Sequence, residues 1–362
     1  MIKFRYIFLL SALMFSQVSR AQNLNAYSDK VTQYFYIFDD GKLVEAEYLP
    51  VTQSAVGGNC VAYVDNSSNF KIYYDGNTNV EADNAPDKFF ATDNLIVYDF
   101  QKRLSVFERG RSTLLTYQHG IYAAGDSMVA FYDTISYALK FYKDGVIKEG
   151  EALYDKSPPK SLQVGDNIAA YVNYNDLFKV YYNDRLYDLE SAGPTQYKAG
   201  CNTVAYIDRY TRNFKVFYHG NLLQLESFPP SSFKVGDDIV AYIDNTGSFK
   251  VFCMGQLYTV QTYEPQFFDV TDHMIVFGDV QNFNVFYGGK TTKLESYKPE
   301  IYQMDYNSLA YIDSFNKIRL FSDGAIKDVS GSIVNSFQLT RNVLMYSTDL
   351  ESMHFYCNGK NY

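Results

Sequence analysis

Apolar residues in this chain come in short runs that alternate with single polar positions, and Gly, Asp, Asn or Pro cuts off each run after a few residues. The stretch from Phe233 to Gln261 shows the pattern: FKVG, IVAYID, FKVFC and QLYTVQ, separated by turn residues. No run has the 3.6-residue spacing of an amphipathic helix, whereas period-2 alternation rich in β-branched and aromatic residues marks strands. The pattern predicts an all-β chain.

The pattern also repeats. AYID at Ala205 returns at Ala241 and Ala310, with the variants AYSD (Ala26), AYVD (Ala62), VYDF (Val97), AFYD (Ala130), AYVN (Ala170), VFGD (Val276) and MYST (Met345). Successive aromatic anchors, Tyr27 to Tyr346, stand 33 to 40 residues apart, so about ten copies of a ~35-residue unit fill residues 22–362. A period of this size marks a propeller or solenoid array.

Composition sorts the connections within a unit. A tight turn with one glycine (Gly41, Gly76, Gly110, Gly145, Gly220, Gly255, Gly289, Gly324, Gly359, with Asp184 standing in once) follows the FKVFY segment, where a hairpin needs positive φ. All nine prolines fall between the LxxLE segment and the next FKVG. Proline cannot donate to a ladder, so these segments read as links between sheets. FKVG, VAYID, FKVFY and LxxLE then become the four antiparallel strands of one propeller blade. In FKVFY both alternating sets are apolar, which predicts sheets covered on both faces. The first copy lacks its first strand and the last, ending FYCNGKNY, lacks its fourth. Two tandem smaller propellers, with the 40-residue spacing across GEALYDKSPPKS as their seam, or an open β-solenoid are the alternative arrangements.

On these repeats, turn glycines and proline links, the chain resembles secreted β-propeller repeat proteins over essentially its whole length after residue 21. The resemblance is one of architecture. The segments carry neither a WD dipeptide nor a tryptophan-based sugar motif, and no named family follows.

Composition adds three constraints. Tyr (35) and Phe (28) are abundant and Trp is absent, so aromatic rings must dominate the core. The net charge is −9, which disfavours nucleic acid and anionic lipid as partners. The N-terminus, MIKFRYIFLLSALMFSQVSRA, has the basic start, short apolar run and small-residue site of an export signal cut after Ala21. Its removal would leave 29 basic against 41 acidic residues, a balance of −12. The expectation is residues 1–21 as signal and 22–362 as one repeat domain, exported to the periplasm, the cell surface or beyond, with no membrane insertion.

Candidate chemistry is sparse. The repeated Asp (Asp65, Asp133, Asp208, Asp244, Asp279, Asp313) reads as a turn residue accepting backbone N–H bonds rather than a ring of metal or sugar ligands. The recurring Lys nearby (Lys71, Lys140, Lys179, Lys215, Lys250) reads as its cross-strand partner. Acidic pairs such as Asp237 and Asp238 in tight turns read as solvated. Cys253 and Cys357 occupy the same repeat position three units apart, Cys60 and Cys201 belong to other units, and all four are expected as free thiols. His119, His219, His273 and His354 fit no metal or catalytic spacing, so no metal, cofactor or catalytic residue is assigned. What remains is a surface. The links between blades and the turns from second to third strand emerge on one face, carrying Tyr137, Tyr174, Arg209, Tyr210, Arg212 and Phe228, residue types favoured at recognition hot spots. The leading expectation is a non-catalytic scaffold for another envelope or extracellular protein; a carbohydrate-binding propeller is the alternative, and a propeller hydrolase or lyase comes third.

Overall fold

The computed structural model describes residues 23–152, 156–348 and 352–362, and the expected signal lies outside them. Thirty-nine strands, and no helix among the described residues, form ten separate antiparallel sheets. Each of blades 2 to 10 is a four-stranded meander in sequence order, and blade 1 shows three strands among the described residues. Blade 6 is representative, with strands Gln196–Ala199, Thr203–Ile207, Phe214–Tyr218 and Asn221–Glu226. Blade 10 does have a fourth strand, the two-residue Lys360–Asn361, so the expectation that the last copy lacks one is corrected.

The turn chemistry works as read. At the hairpin between third and fourth strands, the glycine has φ near +80° in every blade but blade 5, where Asp184 takes +61°. The residue before it is also left-handed, from Asp40 at +46° to Gly288 at +56°. Two successive positive φ values make the turn whose twist matches a hairpin. The prolines lie between sheets, from Pro50 before Gln53–Val56 to Pro299 before Tyr302–Asp305.

Both faces of each sheet are covered. In Thr203–Ile207, Val204 and Tyr206 pack with blade 5, while Ala205 and Ile207 pack with blade 7. Burying each large side chain contributes roughly 1.5–3 kcal/mol, and the second and third strands supply most of that core. Polar staples lock neighbours together. Tyr206 Oη donates to Glu190 Oε1 of the preceding blade (2.8 Å), and Lys215 bridges Glu190 (2.7 Å) and Asp208 (2.6 Å). The same Tyr and Glu pair recurs at Tyr63/Glu47, Tyr171/Glu151, Tyr242/Glu226 and Tyr311/Glu295. Where Phe131 replaces the tyrosine, Thr116 stands opposite in place of the glutamate and donates to Asp133.

The ends of the chain meet. Phe38 of blade 1 stacks on Phe355 of blade 10 at 4.4 Å, and both join a cluster with Val343, Met345 and Cys357. This closure rules out the open solenoid. The 40-residue spacing is no seam either, because blades 4 and 5 share one core in which Phe141 stacks on Tyr181 at 3.9 Å. The architecture is a single ring.

Candidate functional site

The two ends of the ring differ in construction. On one, the turn between second and third strands is organised by the repeated aspartate. Asp208 Oδ1 accepts from the amides of Tyr210 (2.9 Å) and Thr211 (3.1 Å) while its other oxygen receives Lys215. Asp65, Asp133, Asp244, Asp279 and Asp313 accept turn amides in the same way. Burial alone would raise these carboxyls, but the bonds outweigh it and hold Asp65, Asp133 and Asp208 at about 2. The aspartates are therefore spent on shaping turns, and the residues after them project outward.

What projects is aromatic. Tyr210 is 75% exposed, Phe228 61%, Tyr174 51% and Tyr137 37%. Lys156 lies over the Tyr137 ring at 4.9 Å, and Arg209 Nη1 reaches Asp176 of the neighbouring blade at 2.8 Å. Arg212 sits in the turn itself, at φ +63°, with its amide on the Asp208 carbonyl. These six residues thus share one face across blades 4 to 6 and the link to blade 7. Tyr48, Tyr117, Tyr263 and Phe315 occupy equivalent links or turns elsewhere on that face, and the sequence reading missed them. Their repeat positions carried the signal.

The opposite end carries the tight turns between first and second strands, packed around the ring axis. Glycines there let one turn approach the next: a Cβ on Gly165 would lie 2.0 Å from the Gly200 carbonyl oxygen. Hydrogen bonds run from turn to turn, among them Asp93 N to Asp126 Oδ1, Cys201 N to Asp237 Oδ1 and Asp237 N to the Asp272 carbonyl. This gathers Asp93, Asp126, Asp237 and Asp272, with Asp166 and Asp305 in their field. Burial, then mutual repulsion, pushes Asp93 and Asp272 up to about 7; burial also pushes Asp237 up to about 6. The reading of Asp237 as solvated is corrected, because neighbouring turns desolvate it. Arg341 of blade 10 answers this charge: its Nη1 lies 3.3 Å from Asp93, its amide donates to Asp305, and its guanidinium stands 4.5 Å from the Tyr306 ring. Among the described residues no group of His, Cys, Asp and Glu is disposed to hold a metal ion.

Ten sheets in one closed ring agree with the match of residues 18–362 to the family model for the 10-bladed beta propeller domain. The chain belongs to that family. No curated protein matches it. Several solved structures resemble this ten-bladed propeller at low TM-scores. The computationally designed Ika8 protein is 17% identical over 73% of this chain and 93% of its own, with TM-score 0.35. The ectodomain of the receptor kinase CR4 from Physcomitrella patens is 8% identical over 70% and 76%, at 0.37. PorZ, a surface component of the type-IX secretion system of Porphyromonas gingivalis, is 10% identical over 91% and 56%, at 0.28.

The remaining reactive side chains of this ten-bladed propeller are dispersed. His119 pairs with Asp99, His219 with Asp238, and His273 bonds the Asp237 carbonyl, each at its own place in the ring. All four cysteines are free, with Cys60, Cys253 and Cys357 buried. Burial pushes the Cys60 thiol up to about 12, which suppresses the thiolate.

Proposed function

We propose that this propeller is an exported, non-catalytic platform that docks another protein on its loop-bearing face. One observation carries the reading. Of the nine exposed Tyr and Phe side chains among the described residues, eight (Tyr48, Tyr117, Tyr137, Tyr174, Tyr210, Phe228, Tyr263, Phe315) stand on that face, and only Tyr362 lies elsewhere. Rings on short, hydrogen-bonded turns offer large apolar area with little entropy left to lose, which suits them as anchors. Export is inferred from residues 1–21 alone.

The test is co-purification from the native envelope, comparing wild type with an Arg209→Ala/Tyr210→Ala variant and a Tyr210→Ser/Phe228→Ser variant. A stoichiometric protein lost from both variants supports docking. A pull-down unchanged by both, together with binding on a glycan array, replaces it with carbohydrate recognition, and polysaccharide hydrolysis by the purified protein overturns the non-catalytic reading.

A further inference from the structure

Between blades 5 and 6, on the loop-bearing face, a cavity of about 440 Å3 is lined by Lys160, Lys198, Arg209, Gln196 and Asp176 among others. Three cations against one carboxylate are unusual in a chain where acids outnumber bases 41 to 32. We propose that this cavity binds a carboxylate from an acidic segment of the docked protein. The inference rests on the docking reading above and names the chemistry recognised at one part of it.

The site is preorganised. Lys160 Nζ and Arg209 Nη1 come from different blades and meet on the two oxygens of Asp176, at 3.0 and 2.8 Å. The bond from Lys160 and the nearby Arg209 charge hold Asp176 below the usual carboxylate range, so it stays ionised and fixes both cations. Gly193 allows the link between these blades to pass close by: a Cβ there would stand 2.9 Å from Val172 and 3.5 Å from Asp176 Oδ1. Donors remain free. Arg209 uses only Nη1, and neither Lys198 nor Gln196 makes a side-chain hydrogen bond among the described residues. A planar guanidinium with uncommitted N–H groups and an unpaired ammonium lining one cavity match a carboxylate. Tyr210 directly follows Arg209 and Tyr174 stands two residues before Asp176, and both exposed rings give the segment apolar surface to lie on.

The probe is a fluorescein-labelled octaglutamate peptide, titrated by anisotropy at low salt against the full chain. Expected is saturable binding that weakens as salt rises, about tenfold weaker in Lys198→Glu and in Arg209→Gln, and unchanged in Lys42→Glu on an outer strand of blade 1. Lys198→Glu breaks no intramolecular bond, so its circular dichroism should match wild type. No binding, equal binding by Lys198→Glu, or full displacement by inorganic phosphate at constant ionic strength would overturn the proposal. A native partner captured equally by Lys198→Glu and wild type overturns it while docking stands. A partner indifferent to Tyr210→Ser/Phe228→Ser, with octaglutamate binding intact, overturns docking instead.

Discussion

Replacing Arg341 with methionine isolates the electrostatics of the axial turns. The substitution keeps most of the side-chain bulk but removes the cation 3.3 Å from Asp93 and 4.5 Å from the Tyr306 ring. Both members of the ion pair are largely buried, at 17% and 22% side-chain exposure, and stripping one partner from such a pair costs about 3 kcal/mol or more if the other stays charged. Asp93 need not stay charged. Its carboxyl already titrates at about 7 with Arg341 present, and without the cation it takes up a proton at higher pH still. At about pH 5 the Asp93 carboxyl is neutral in both proteins, so its ion pair no longer counts and the cation–π contact, about 1 kcal/mol, is the main loss. Urea unfolding followed by circular dichroism should therefore show Arg341→Met destabilised by about 3 kcal/mol near pH 8.5 and about 1 kcal/mol near pH 5, with Arg341→Met/Asp93→Asn recovering most of the difference. A loss independent of pH, or larger in acid, would refute the reasoning.

The wild type should have its own pH optimum. Carboxyls raised in the folded state (Asp93 and Asp272 to about 7, Asp237 to about 6) contribute stability that is full below 3.8 and lost as pH rises through those values. Those lowered to about 2 (Asp65, Asp133, Asp208) contribute stability that is present above 3.8 and lost as pH falls toward 2. Thermal unfolding across pH should peak near about pH 4; a maximum near pH 8 would contradict the buried axial carboxyls. Tyr206→Phe removes one inter-blade staple and should cost about 1–2 kcal/mol in urea unfolding. Gly165→Ala drives a methyl into the Gly200 carbonyl and should cost about 3 kcal/mol or more, whereas Gly76→Ala meets open space and carries only the strain of φ +77°, about 1 kcal/mol. The thiols of Cys60, Cys253 and Cys357 should resist an aromatic disulfide reagent at pH 8 until the chain is unfolded, as followed by absorbance.

The sequence determined much of this molecule because propeller information is local. The hairpin glycines at left-handed φ, the prolines between sheets and the aspartates that cap turns each act within a few residues of themselves, so reading one unit reads nearly all of them. The loop face was legible for the same reason: Tyr210 projects because Asp208, two residues away, ties down its turn. Tertiary structure decided what depends on neighbours a whole unit apart. Tyr206 meets Glu190 only because adjacent blades pack face to face. Ring closure through Phe38 and Phe355 requires both ends of the chain at once. The carboxyls of Asp93, Asp237 and Asp272 lie far apart in sequence, and each alone looks like an ordinary turn residue. Only curvature of the ring brings them toward one axis, where desolvation and repulsion, both set by distances through space, change their chemistry.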